Sequence, residues 1–261
     1  MKTSKNIAYG RHRMQRLDAY IPDDPNGATV ILTHGGGWWQ GDKAKDGPLA
    51  QRLAGEGYQV FAVNYRLADG KENLFPCQRS DLFAATEWLL GSDYGIDRTR
   101  TAFFGASSGG NLSVEASLHY GFPCVSWSGL LALDDFMVAH PNVVPKQLHI
   151  DPNVPSNKID QKGANDAYYK WLVLNLLGGD LTHIGDTNPI HRVNSQAGPM
   201  LLANSTNELV PCDEIFKLGK ALSENGLIVQ TMTIPGSKHG EGYEDEALPV
   251  ALTFLKQHLL G

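Results

Sequence analysis

The chain has 261 residues, with 22 Lys and Arg against 28 Asp and Glu, for a formal charge of −6 and a pI near 5.8. That acidic balance argues against a general nucleic-acid binder, which would show a basic face. Hydrophobic residues at 42% and charged residues at 19% exclude disordered and coiled-coil classes and leave an ordinary globular protein.

The first stretch, Met1 to Arg16, is polar and basic without an apolar core, so no secretory signal is expected. Arg16–Ile21 alternates like an edge strand, and Ala28–Thr33 (ATVILT) is continuously apolar, as a strand buried on both faces should be. A helix is expected over Lys45–Glu56, a buried strand over Gln59–Asn64, and a helix over Gln78–Leu90. Thr101–Phe104 reads as a short strand, Ser108–Tyr120 as a helix and Pro123–Trp127 as a strand. Further on come a strand at Met200–Ala203, a helix at Asp213–Asn225, a strand at Leu227–Ile234 and a closing helix at Asp245–Leu260. Strands alternating with helices imply an α/β protein, a mostly parallel central sheet with helices on both faces, in a single domain.

Residues 130–189 break the rhythm. They hold prolines at 141, 145, 152 and 155 and one aromatic helix, Asp166–Leu177. An insertion after a strand's C-terminal end lies over the ligand crevice of such a fold, so this segment is expected to form a lid or cap. Tyr168, Tyr169 and Trp171, with Trp38 and Trp39, are candidates for an aromatic pocket.

No apolar run is long enough to span a membrane. Cys77, Cys124 and Cys212 are far apart, odd in number and without metal or redox spacing, which fits reduced thiols in the cytoplasm. No histidine pattern suits a metal, and no cofactor is expected. Glycine stands out at 28 of 261 residues, against an average near 7%. Such an excess belongs in turns and where backbone approaches something closely.

Three strings carry chemistry. Gly105-Ala106-Ser107-Ser108-Gly109-Gly110 fits G-x-S-x-G and lies between a strand and a helix. A nucleophile elbow requires that context, because the serine sits on a strained turn at a helix N-terminus. His34-Gly35-Gly36-Gly37-Trp38 follows a buried strand, where glycine N–H groups can bind an oxyanion together with the N–H of the residue after the nucleophile. Pro235-Gly236-Ser237-Lys238-His239-Gly240 puts a histidine on the loop after a late strand, the place for a general base.

On these strings, and on RLDAYIP at 16–22, NYRL at 64–67, Asp81, YGID at 94–97, GASSGGNL at 105–112 and ELVP at 208–211, the chain resembles the α/β-hydrolase superfamily. It is most similar to the HGGG-bearing carboxylesterases, which include hormone-sensitive-lipase-like, acetyl-esterase and kynurenine-formamidase-like groups. The resemblance implies an α/β-hydrolase fold and a serine hydrolase acting on a small or medium carboxylic ester, formamide or lactone. It implies Ser107 as nucleophile, His239 as base, and Gly36, Gly37 and Ser108 as oxyanion-hole donors. Tyr65, Arg66 and Asp81 match positions tied to architecture.

The acid position of the family pattern, two residues before Leu-Val-Pro, holds Asn207. Three readings stay open. Asn207 orients His239 without a charge; a neighbouring carboxylate, Glu208, Asp134 or Asp135, takes its place; or the chain is a weakened enzyme or a non-catalytic binding protein on a hydrolase scaffold. The expected partner is a small-molecule ester or amide, not nucleic acid or membrane, and a homodimer is left open.

Overall fold

The computed structural model describes residues 1–148 and 154–261. His149 and Pro152 of the insertion lie outside the described residues. Eight strands form one sheet in the order β1-β2-β4-β3-β5-β6-β7-β8. They are β1 (Lys2–Ala8), β2 (Arg16–Ile21), β3 (Thr29–Thr33), β4 (Gln59–Val63), β5 (Thr101–Ala106), β6 (Cys124–Trp127), β7 (Met200–Ser205) and β8 (Val229–Ile234). β1–β2 and β2–β4 are antiparallel, and every later pairing is parallel.

The centre of the sheet is apolar because both its faces are covered. All residues of β3 and β5 are buried, as the continuous apolar run in β3 requires. On one face pack α2 (Cys77–Leu90), α3 (Ser108–Tyr120) and α6 (Asp213–Glu224); on the other pack α1 (Gly47–Gly55) and α7 (Glu244–Leu259).

One expectation at the sheet's first edge needs correcting, and one strand there was not expected. β2 is not the edge strand, since β1 pairs outside it. β1 itself carried no apolar signal, because only Ile7 and Ser4 are even partly buried. Its hydrogen bonds to β2 define it, and an edge strand rich in polar residues is protected from further pairing.

The insertion between β6 and β7 holds two helices, α4 (Leu133–Ala139) and the expected α5 (Asp166–Leu177). α5 is tied to the core by a buried polar knot. Glu214 of α6 accepts hydrogen bonds from the Leu131 and Ala132 N–H groups, the latter at 2.9 Å, and from Tyr169 Oη at 2.7 Å. Burial pushes the Glu214 carboxyl up to about 7 despite these donors. A carboxyl raised in the folded state contributes full stability below its unfolded value and loses that contribution as pH rises through about 7. Tyr169→Phe strips one donor from this buried acid. It is expected to cost about 1–3 kcal/mol, read as a lowered urea midpoint with unchanged slope and with the largest deficit above neutral pH.

Candidate active site

The site lies at the carboxyl ends of the central strands, where open α/β sheets bind ligands. The strand-to-helix turn between β5 and α3 presents Ser107. Its φ of 56° and ψ of −126° are strained for a residue with a side chain. The turn is held by the Ser107 N–H donating to the Trp127 carbonyl at 2.7 Å. Glycine is required beside it: a Cβ on Gly105 would stand 2.2 Å from the Gly109 carbonyl oxygen, and one on Gly109 would stand 2.0 Å from that of Thr33. Gly109 is therefore pressed against β3, while Ser107 remains 8% exposed. α3 begins directly after it, so the Ser108 N–H is among those a helix start leaves without an intrahelical partner.

The loop after β3 lies alongside. Gly35, Gly36 and Gly37 line the same cavity as Ser107. Tyr65 joins loop and elbow: its ring stacks on His34 at 4.4 Å, its hydroxyl donates to the His34 carbonyl at 3.0 Å, and it lies 3.3 Å from Ser108 Oγ. Burial lowers His34 to about 4 and keeps it neutral, consistent with a structural ring. Next along the chain, Arg66 grips Asp81 through two side-chain bonds of 2.8 and 2.6 Å, an architectural clamp as expected.

His239 follows β8 and is 5% exposed. Its Nδ1 is hydrogen-bonded to Glu208 Oε2. Asn207 is corrected at this point. Its side chain is exposed beside Gly163 and makes no hydrogen bond among the described residues, while its N–H donates to the Gly236 carbonyl at 2.9 Å. The turn after β7 leaves Asn207 exposed and Glu208 buried. Asp134 and Asp135 are also elsewhere. Asp134 binds Asn188 and His191, the latter at 2.6 Å, and Asp135 pairs with Lys217 at 3.1 Å.

Glu208 is itself held. Its Oε1 accepts from the Ser205 N–H at 3.1 Å and from Ser128 Oγ at 2.6 Å. Ser128 Oγ also accepts the Gly240 N–H at 2.8 Å and lies 2.8 Å from Tyr243 Oη. One fully buried hydroxyl, on a residue with φ of 49°, thus fastens the acid to the loop that carries His239. No periodicity or motif marked Ser128; the only sequence trace is its place just past β6. Ser128→Ala removes a hydrogen bond to a charged group, worth roughly 1.5–3 kcal/mol. A fall in kcat of about 10-fold or more is expected with little change in KM.

The cavity beside Ser107 and His239 measures about 330 Å³. Its apolar wall comes from Leu209 and, within the insertion, from Ile159, Tyr168 and Leu172, and the insertion also adds Ser156 and Gln161. Insertion and histidine loop are stitched together by the His239 N–H donating to Ile159 O at 3.1 Å and the Gln161 N–H to Ser237 O at 3.0 Å. Of the five aromatics expected to form a pocket, only Tyr168 lines the cavity. Trp38 is buried in the core, Tyr169 serves Glu214, and Trp39 packs edge-on against Trp171 at 5.1 Å while donating to Tyr168 Oη at 3.2 Å. Among the described residues no group of acidic, histidine or cysteine side chains could hold a metal.

A family model, BD-FAE, matches residues 17–222. The chain belongs to the BD-FAE family. Residue matches to individual relatives are shorter. The chain is 37% identical over 95 residues to esterase LipI of Mycobacterium tuberculosis, covering 35% of this chain and 29% of that protein. It is 41% identical over 91 residues to arylacetamide deacetylase of Oryctolagus cuniculus, covering 32% and 22%. The matched stretch therefore spans less than a third of either relative. Solved structures agree over the whole fold. A truncated carbohydrate esterase from gut microbiota superposes with a TM-score of 0.73 at 18% identity, covering 100% of this chain and 97% of that one. An esterase of Pyrobaculum calidifontis gives 0.75 at 19% identity, covering 99% and 86%. The fold is that of the α/β-hydrolases.

Proposed function

We propose that this BD-FAE family member is a serine hydrolase of small or medium carboxylic esters, with Ser107, His239 and Glu208 as its catalytic triad. The observation that carries this reading is the Glu208–His239 Nδ1 hydrogen bond, in a cavity shared with Ser107 on its strained turn. With Nδ1–H held by a carboxylate, Nε2 is the basic nitrogen. It takes the proton of Ser107 Oγ as that oxygen attacks the ester carbonyl. The N–H groups of Gly36, Gly37 and Ser108 bind the oxyanion that forms. His239 then delivers the proton to the leaving alcohol, and water attacks the acyl-enzyme by the same route in reverse. The insertion at 130–189 acts as a cap that narrows the cavity.

A non-catalytic binding protein was supported by Asn207 alone, and a carboxylate on His239 removes that support. The cytoplasm is the proposed compartment, supported by three unpaired cysteines; no helix of the described residues is long and apolar enough to cross a membrane. The reading is tested with p-nitrophenyl acetate and an alkyl phosphonate. Turnover should stop as one phosphonate attaches per chain, and peptide mapping should place it on Ser107. Labelling elsewhere, or turnover that survives full labelling, would overturn the assignment.

A further inference from the structure

The same cavity holds a second polar centre that ester cleavage does not use. Asp46 and Glu241 both line it, and they are 2% and 6% exposed. Asp46 stands at the N-cap position of α1, yet its carboxylate caps nothing there, and the buried Oδ2 has no donor. Glu241 lies two residues after His239, in the short turn Gly240–Tyr243. Each carboxyl acts directly on the other, and two buried acids lining one corner are relieved by holding a proton between them. Ser156 of the insertion adds one hydroxyl to Glu241.

The charges around the pair do not neutralise it. Asp42 and Glu244 add the same sign, and Glu244 is occupied by Arg52 at 2.7 Å. Both acids feel Lys45, an exposed residue at the rim of the same cavity. Burial, then mutual repulsion at Asp46, raises both acids above the usual carboxylate range. Among the described residues the pair thus combines surplus acceptor oxygens, a buried oxygen without a donor and no buried counter-charge. A neutral hydroxylated ligand would supply donors but leave the repulsion in place. A group with several N–H donors and a positive charge removes both costs.

We propose that Asp46 and Glu241 form a cation subsite of the cavity, taking a primary ammonium group carried by the ester substrate. The inference rests on reading the cavity as the ester site. When the ammonium enters, the shared proton leaves to solvent, and the ammonium N–H groups donate to the Asp46 and Glu241 carboxylates. Substrates bearing an amine would then be preferred over neutral esters of the same shape.

The test compares n-butylammonium with 1-butanol as inhibitors of p-nitrophenyl acetate hydrolysis. Butylammonium should inhibit competitively and at least about 10-fold more tightly, and the advantage should grow as pH is raised, because a proton must leave. Glu241→Gln and Asp46→Asn preserve shape and should each remove the preference while 1-butanol still competes. Equal inhibition by the two compounds overturns the proposal, as does a preference that survives both substitutions. Calorimetric titration of the unmodified protein with n-butylammonium needs neither variants nor turnover. Run in two buffers of different ionisation enthalpy, it should show proton release; binding without release, or no binding, overturns the subsite even if esters are hydrolysed. Absent turnover with intact proton-releasing binding would instead count against the hydrolase reading alone.

Discussion

Glu208→Gln is expected to lower kcat by about 10⁴, the loss seen when a triad carboxylate becomes an amide in a serine hydrolase. The geometry gives the reason. Ser205 N–H and Ser128 O–H both donate to Oε1, so the amide oxygen of a glutamine will settle there. Its NH₂ then faces His239 Nδ1, which must accept. The imidazole proton moves to Nε2, and the ring can no longer take a proton from Ser107. Asn207→Ala and Asn207→Asp, one position away, should leave kcat within a few-fold. Steady-state kinetics on p-nitrophenyl acetate separates the two positions. A loss at Asn207 as deep as that at Glu208 would return the acid role to the turn's exposed residue.

The second large effect is expected at the oxyanion loop. Gly36 has φ of +121°, and a Cβ there would stand 2.1 Å from the Gln40 carbonyl oxygen. The obstacle is backbone, and the Gln40 N–H donates to the Gly36 carbonyl at 3.1 Å, so the loop cannot yield without opening. Gly36→Ala should cost about 2.7–4 kcal/mol of transition-state stabilisation, or 10²–10³ in kcat. Gly55→Ala, in α1 with open space around it, should leave activity intact. If the loop variant keeps wild-type kcat, Gly36 is not part of the oxyanion hole.

Several features were legible from the chain alone because they are local. Buried parallel strands such as β3 must be apolar on both faces. The elbow and the oxyanion loop must be glycine-rich where backbone meets backbone at close range, and the clashes at Gly36, Gly105 and Gly109 account for part of the glycine excess. β1 was not legible, because an exposed edge strand is defined by its partner's hydrogen bonds rather than by its own side chains. Ser128 was invisible for a related reason: it acts through Glu208 and Gly240, which are 80 and 112 residues away.

The amino-acid sequence by itself determined the fold class and marked the Ser107 turn and the His239 loop, since each depends on short-range sterics and hydrophobic pattern. Only the tertiary structure decided which residue holds His239. Asn207 and Glu208 are neighbours on one turn, and the direction each side chain takes is set by pairing of that turn with the loop after β8. It also decided that Asp46 and Glu241, 195 positions apart in the chain, share one buried corner of the cavity, because proximity across a fold leaves no trace in spacing.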